Sequence, residues 1–192
     1  MTDVDGTGSA RSLIAGLAAG DEAAFDAVFE RWRARLFSFL ARLTGRRDLA
    51  EDLVSETFLR LAAHVRDLGP GSNVGAWLFR VARNLHLDWL RSRKLDPGRT
   101  SELSVLESVR APGRSPFEAL AAEETARALE RALAALPRES REILLLVGVE
   151  GMTPQEAAAV CGVTPAAARK RLQRARDALA AALAAEGTEV SR

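Results

Sequence analysis

Apolar side chains recur at steps of three and four residues along most of this 192-residue chain. Phe25, Phe29 and Leu36 belong to one such series in the first half, and Leu129 and Leu133 belong to another in the second half. This spacing keeps side chains on one face of an α-helix, which has 3.6 residues per turn. No stretch of the sequence alternates apolar and polar residues as a half-buried strand would. The sequence therefore predicts an all-α fold.

The longest interruption of the helical spacing lies over residues 95–116. It holds three prolines, four serines and two glycines, a composition typical of a flexible linker. Fully extended, a linker of ~22 residues spans roughly 75 Å, enough to hold two domains on separate surfaces of a large partner. We therefore expect two small helical domains, with a disordered tail at 1–12, a first domain at 13–94, the linker at 95–116, a second domain at 117–185 and a short tail at 186–192.

Two helix starts of the same kind stand close together in the second half. Thr153 and Thr164 are candidate N-caps, and each is followed by a proline, Pro154 or Pro165, at the first helical position. Residues 161–163, Cys-Gly-Val, form a short glycine-bearing turn between the two helices. Two helices joined in this way, the second strongly basic, are typical of a helix-turn-helix.

The second helix of this pair concentrates positive charge. The whole chain has a net charge of +1, yet five of the eight positions 169–176 are basic, namely Arg169, Lys170, Arg171, Arg174 and Arg176. The opposite face is small and apolar and is expected to pack inward, through Ala168, Leu172, Ala175, Leu179 and Ala182. No acidic residue occurs between Glu156 and Asp177, so binding to a polyanion explains the helix better than a solvated surface of mixed charge.

A helix predicted over 76–94 is the second basic element. Residues 76–99 hold six positive and two negative side chains. Its polar face is expected to carry Arg80, Arg83, Asn84, Arg91 and Lys94, and its buried face Leu78, Val81, Leu85 and Trp89. Arginines interleaved with Trp77, Phe79 and Trp89 suit phosphate binding and stacking of unpaired bases, although burial explains these aromatic residues equally well. The Asn84 amide is suited to reading a base edge.

A helix predicted over 48–64 has an acidic face. Asp48, Asp52 and Glu56 repeat every four residues, and Glu51 lies beside them. Carboxylate metal sites in helical bundles add Glu-x-x-His motifs, and this sequence has none. A docking face for a basic partner, or a solvated face, is therefore favoured over a metal or general-acid site.

Motifs of enzymatic chemistry are absent from the sequence, which has no P-loop, no G-x-G-x-x-G and no convincing nucleophile–base pair. We therefore expect no catalytic residue, no metal and no cofactor. Cys161 is the single cysteine, which excludes an internal disulfide and suits a reducing compartment. Burial in the turn is its ordinary interpretation, and a redox-sensing thiol is the alternative.

Three segments together resemble the extracytoplasmic-function group of the sigma-70 family of bacterial transcription initiation factors. "DLAEDLVSETFLRL" (48–61) and "GAWLFRVARNLHLDWLRSRK" (75–94) are similar to region 2 of that family. The segment 132–179, which contains "MTPQEAAAVCGVTPAAARKRLQRARDAL", is similar to region 4. The resemblance covers about 21–183 and implies a factor that binds core RNA polymerase, recognises promoter DNA and assists melting.

The resemblance also assigns roles by position. It implies that polymerase contacts the acidic residues Asp48, Glu51, Asp52 and Glu56. It implies contacts to the single-stranded minus-ten element by Trp77, Arg80, Arg83, Asn84 and Arg91, with the loop 66–74 pocketing a flipped base. It implies contacts to the duplex minus-thirty-five element by Thr164, Ala167, Arg169, Lys170, Arg171 and Arg174. The alanines at 166–168 depart from the family's usual polar run, so contacts there are expected to be apolar or made by the backbone.

The same resemblance implies partners and a compartment. We expect core RNA polymerase, promoter DNA in duplex and single-stranded form, and an anti-sigma factor. The sequence has no apolar run of the ~20 residues that cross a bilayer, so we expect no membrane insertion and a cytoplasmic location. The alternative is a stand-alone helix-turn-helix regulator that binds duplex operators. A sensor domain would then occupy the first half, which instead is acidic on one helix and basic on another.

Overall fold

The computed structural model describes residues 6–69, 71–95 and 116–189. These residues form eight α-helices: α1 (Gly6–Ala19), α2 (Glu22–Thr44), α3 (Arg47–His64), α4 (Val74–Leu95), α5 (Pro116–Ala135), α6 (Arg138–Leu144), α7 (Pro154–Cys161) and α8 (Pro165–Glu189). A 3₁₀ turn, Val65–Asp67, follows α3, and a π-helical turn, Leu145–Val149, continues α6. Within these ranges there is no strand, so the all-α prediction is confirmed.

The chain divides into two compact units. The first consists of Met1–Leu40 and Asp48–Thr100, and the second of Ala41–Arg47 and Ser101–Arg192. Two helical units agree with the two expected domains, except that 41–47, from the last turn of α2 to the first residue of α3, group with the second unit. The expected linker lies outside the described residues, apart from its first and last positions, which end α4 and begin α5.

Both ends of the chain are more helical than the sequence indicates. Helix α1 begins at Gly6, inside the segment expected to be a disordered tail, and Ile14 and Leu17 on it are buried. Two apolar residues make too short a stripe to predict a helix before tertiary packing is known. At the other end α8 continues to Glu189, into the expected tail. The remaining tail positions, 1–5 and 190–192, lie outside the described residues.

Aromatic side chains hold the first unit together around α2. On one side, Phe29 of α2 packs on Phe58 of α3 with ring centroids 4.8 Å apart. On the other, Phe79 of α4 makes edge-to-face contacts with Phe39 at 5.2 Å and Trp32 at 6.1 Å. Edge-to-face geometry is the favoured arrangement for aromatic pairs. Helix α2 therefore packs against both α3 and α4.

The buried face of α4 differs in part from the prediction. Leu78 and Leu85 are buried as expected, but Val81 and Trp89 are only half-buried. Of the two interpretations of Phe79, base stacking or burial, the structure supports burial, because its ring is fully buried and contacts Trp32 and Phe39. Gly75, Ala82 and His86 of α4 are also buried. The sequence pattern alone cannot distinguish a buried histidine or alanine from an exposed one.

In the second unit, Arg141 of α6 caps the C-terminal end of α5. Its Nε donates to the carbonyl of Leu133 at 2.8 Å, and its Nη2 donates to the carbonyls of Ala134 and Leu136. These are carbonyls that the end of a helix leaves without an intrahelical partner, and a cation there also complements the helix dipole. Burial lowers the pKa of the Arg141 guanidinium from its usual value.

Helices α7 and α8 form the helix-turn-helix, and both predicted N-caps are confirmed. Thr153 Oγ1 accepts from the Glu156 amide at 3.2 Å, and Glu156 Oε2 accepts from the Thr153 amide at 2.8 Å, a reciprocal capping box. Thr164 Oγ1 accepts from the Ala167 amide at 3.2 Å. Gly162 ends α7 with φ of +66°, a left-handed conformation that glycine adopts without steric cost.

Candidate nucleic-acid interface

The basic helix α8 presents most of its cations to solvent. It packs inward through Ala168, Leu172 and Ala175, which are buried as predicted, while Leu179 and Ala182 are half-buried. The exposed residues expected to bind DNA are Thr164, Ala167, Arg169, Lys170 and Arg174. Exposed cations along one helix form a surface suited to phosphates. Thr164 also caps the helix, which fixes its hydroxyl at the first turn.

Arg171 has a different environment from these cations. Its side chain is 25% exposed, and its Nη2 lies 3.6 Å from Glu139 Oε2 on α6. The same Glu139 carboxylate lies 3.7 Å from Arg138 Nη2. Arg138 Nη1 in turn lies 3.9 Å from Oε2 of Glu142, which is fully buried. Arg171 therefore joins a network of charges that connects α8 to α6, which sequence reasoning did not predict because Glu139 is 32 positions away.

Helix α4 carries a polar stripe at its exposed side. Trp77 is half-buried, while Arg80 and Asn84 are exposed, and spacings of three and four residues align all three on one face. Arg91 continues this stripe, but its Nη1 lies 2.6 Å from Asp88 Oδ1, which offsets its charge. Arg83 lies to the side and is half-buried.

The start of α4 is fixed by a cap that the sequence analysis missed. Asn73 Oδ1 accepts a hydrogen bond from the Ala76 amide at 3.0 Å, so the helix begins at Val74 rather than at Ala76. Asparagine is among the preferred N-cap residues, so Asn73 was the available signal. The cap therefore joins Asn73, at the end of the loop 66–74, to the first turn of α4.

Gly75, next to this cap, permits unusually close packing. A Cβ atom at Gly75 would lie 2.3 Å from Cη2 of Trp32 on α2. Only a glycine fits there without moving the indole ring, because real Cβ contacts are never so short. The first turn of α4 therefore rests directly on Trp32.

The acidic face of α3 is exposed as expected. Asp48, Glu51 and Asp52 are exposed, and Glu56 is half-buried with its Oε1 3.0 Å from Arg60 Nε. Leu59 lies seven residues after Asp52, on the same side of the helix, and its side chain is 65% exposed. The sequence analysis missed an apolar residue this exposed inside an acidic face, because it considered only the carboxylates there.

Among the described residues, no group of three His, Cys, Asp or Glu side chains is placed to hold a metal ion. Cys161, the last residue of α7 before the helix-turn-helix turn, is buried. No helix in the described ranges is long and apolar enough to span a membrane.

Comparison with known proteins identifies the class of this chain. Residues 28–95 match the family description "Sigma-70 region 2", and residues 126–179 match "Sigma-70, region 4". The two matched segments contain the α4 stripe and the basic helix α8. The chain is therefore a member of the sigma-70 family.

Individual relatives define the group within that family. The chain is 38% identical over 156 residues to the ECF RNA polymerase sigma factor EcfG of Rhodopseudomonas palustris, covering 80% of this chain and 82% of the relative. It is 33% identical over 180 residues to the ECF sigma factor SigE of Mycolicibacterium smegmatis, covering 91% and 68%. The chain belongs to the extracytoplasmic-function sigma factors, a group of non-enzymatic regulators, and directs promoter-specific transcription by RNA polymerase.

Two solved structures have a similar fold. One is CnrH in complex with the cytosolic domain of CnrY, with a TM-score of 0.68, 29% identity and coverage of 91% of this chain and 97% of that chain. Another is the sigma factor RpoE in complex with the anti-sigma factor NepR from Bartonella quintana, with a TM-score of 0.69, 29% identity and coverage of 83% and 96%.

Proposed function

We propose that this sigma factor contacts its promoter through two separate surfaces, the polar stripe of α4 for the minus-ten element and the exposed cations of α8 for the minus-thirty-five element. The observation that carries the proposal is that α4 and α8 each expose a basic face, while the opposite face of each helix is buried within its own unit. The first domain, about 13–94, would bind polymerase and the single strand, and the second, about 117–185, would bind the duplex.

The duplex contact rests on Arg169, Lys170 and Arg174. These exposed cations would bind phosphates and set the position of the helix, because phosphate contacts carry affinity but no sequence information. Thr164 and Ala167 stand at the N-terminal end of α8, the end of a recognition helix that meets base edges. The Ala167 methyl group suits contact with a thymine methyl. We assign Arg171 a positioning role through Glu139 instead of a phosphate contact.

The single-strand contact rests on Trp77, Arg80 and Asn84. The half-exposed indole offers a stacking surface, the guanidinium a phosphate ligand and the amide a pair of donor and acceptor for one base edge. Arg83 and Arg91 would add charge at the border of this surface. Opening DNA costs ~1.4 kcal/mol per stacked step, whereas stacking on protein returns ~1–3 kcal/mol per base. A few captured bases therefore suffice without ATP.

The polymerase contact rests on the face of α3 formed by Asp48, Glu51, Asp52, Glu56 and Leu59. Four carboxylates would attract a basic surface, and charge complementarity of this kind mainly sets specificity and association rate. The exposed Leu59 side chain would supply the apolar anchor that such interfaces usually need for affinity.

Regulation by an anti-sigma factor is also part of the proposal. CnrH and RpoE were solved with the cytosolic domain of CnrY and with the anti-sigma factor NepR, respectively, and this chain shares their fold. The chain itself would catalyse no reaction, and its site of action would be the cytoplasm, where bacterial polymerase meets promoter DNA.

Reconstituted transcription tests the proposal against a stand-alone regulator. Start sites mapped after overexpression supply the promoter fragment. We expect core RNA polymerase to retain the chain in a pull-down and to initiate at the mapped site only when the chain is added. Tight binding of the chain alone to a duplex operator, with no retention by core polymerase, would instead establish the stand-alone regulator.

A further inference from the structure

Helix α2 carries a group of arginines that no proposed contact uses. Arg31, Arg33 and Arg35 occupy three of five consecutive positions, interrupted by Trp32. Arg31 and Arg33 are exposed, and Arg35 is half-buried. The guanidinium carbon of Arg35 lies 4.4 Å from the centroid of the Trp32 ring, and that of Arg31 lies 5.6 Å from it. Two cations are therefore gathered around one indole.

The spacing of Arg31 and Arg35 works against the helix. They lie four residues apart, where like charges repel across one turn. Arg31 has no acidic residue three or four positions away on α2 that could offset this charge within the helix. Cation–π contact with Trp32 compensates in part, and it also restrains two long side chains that would otherwise be flexible. Restrained guanidinium groups lose less entropy when they bind an anion.

Trp32 connects this pair to the start of α4. Its ring packs so closely on Gly75 that a Cβ atom there would lie 2.3 Å from Cη2 of the indole. The same ring contacts Phe79 edge to face. The Trp32 ring therefore touches the residue that directly follows the loop 66–74 and its Asn73 cap. The guanidinium groups of Arg31 and Arg35 lie beside that ring, so one indole separates them from the first turn of α4.

We propose that Arg31 and Arg35 bind the phosphodiester backbone of the single DNA strand next to the bases taken by the loop and by α4. This inference rests on the proposed minus-ten contact and extends it to a second helix. Guanidinium groups match phosphate oxygens through paired hydrogen bonds. A single strand is the fitting occupant because the pair lies one indole ring away from the start of α4, the helix proposed to hold the unpaired bases.

The test uses the full chain bound to core polymerase and the mapped promoter in two forms. In the fork form the non-template strand is unpaired across the minus-ten element, and the other form is a duplex with the minus-thirty-five element alone. With Arg31→Gln, we expect the slope of log affinity against log salt to fall by about 0.7 on the fork, the value for one single-strand phosphate contact. The duplex slope should not change, and Arg31→Lys should restore the fork slope.

Arg33→Gln is the matched control. It removes the same charge from the same helix. The guanidinium carbon of Arg33, however, lies 5.6 Å from the Phe29 ring, which packs on Phe58 of α3 and so belongs to the other side of α2. An unchanged fork slope in Arg31→Gln, or an equal fall in Arg33→Gln, would overturn the inference. Weaker binding to core polymerase with an unchanged fork slope would also overturn it, in favour of an acidic protein surface as the occupant.

Different results would refute the role of Arg31 and the proposed minus-ten contact of α4. If Arg80→Gln lowers the fork slope and Arg31→Gln does not, the minus-ten contact stands and only the extension to α2 is lost. If the unaltered holoenzyme does not bind the fork, the minus-ten contact and the extension are both refuted.

Discussion

Arg171 and Arg174 lie three residues apart on α8 and carry the same charge, yet their surroundings differ. Arg174 is exposed, whereas Arg171 faces the Glu139 carboxylate at 3.6 Å. A charge already paired within the protein releases no counterion from DNA unless the pair breaks. The two residues should therefore be separable by the salt dependence of promoter binding, although the sequence presents them alike.

We expect Arg174→Ala to reduce the salt slope of duplex binding by about 0.9, the value for one lost phosphate contact. Arg171→Ala should leave that slope unchanged and lower the free energy of unfolding by at most ~1 kcal/mol, because the pair is partly exposed. Binding titrations between 50 and 200 mM salt, roughly the range in which such slopes are resolved, provide the measurement.

Glu139→Gln is the control for this distinction. It should release Arg171 and leave the slope equal to that of the unaltered chain or steeper. A slope reduced in Arg171→Ala as much as in Arg174→Ala would show that Arg171 binds phosphate directly.

Replacing Gly75 with alanine should change the free energy of unfolding in the opposite direction from most such replacements in helices. Replacing a helical glycine with alanine ordinarily stabilises a helix by roughly 0.5–1 kcal/mol. Here the new Cβ would lie 2.3 Å from Trp32 Cη2, so we expect Gly75→Ala to lower the free energy of unfolding by about 1–3 kcal/mol, as for overpacking. Urea unfolding measures this difference.

Gly71→Ala serves as the comparison for Gly75→Ala, since nothing lies within 4 Å of a Cβ at that position. It should be nearly neutral. Equal stability of the two variants would contradict the close packing of α2 on α4.

At the scale of elements, helix existence could be predicted well and helix faces less well. The apolar spacing predicted α2, α3 and α4, and the two Thr-Pro pairs correctly located the first residues of α7 and α8. The predicted buried face of α4 was partly wrong because burial there depends on Trp32 and Phe39 of α2. Helix α1 was missed because its stability comes from packing rather than from its own pattern. Ion pairs such as Arg171–Glu139 join distant segments and have no local signal.

Helix α3 shows what exposure adds to a sequence pattern. Leu59→Ala should weaken binding to core polymerase by about 1–2 kcal/mol, because an exposed apolar anchor is lost from the interface. The free energy of unfolding should change by no more than ~0.5 kcal/mol, as for an exposed site. Pull-down titration and urea unfolding of the same variant measure the two quantities.

Leu61→Ala is the contrasting variant on α3. Leu61 is fully buried, so its truncation should cost about 2–5 kcal/mol of unfolding free energy. Unchanged affinity of Leu59→Ala for core polymerase would remove Leu59 from the proposed interface.

At the scale of the whole molecule, charge is separated rather than balanced locally. The net charge is +1, but α3 has an acidic exposed face while α4 and α8 have basic ones. Such a distribution suits a chain that binds a basic protein surface and DNA at once, since each field attracts one partner and repels the other. The proposed function assigns the two basic surfaces to different steps, α8 to duplex binding and α4 to melting.

Reactivity of unpaired promoter thymines to permanganate, measured together with duplex binding, tests this division most directly. For holoenzyme carrying Asn84→Ala, we predict near-normal binding to duplex promoter DNA but a marked loss of thymine reactivity around the minus-ten element. For Arg174→Ala, we predict weaker binding with normal reactivity in the complexes that form. Parallel loss of binding and reactivity in both variants would contradict two separate promoter surfaces.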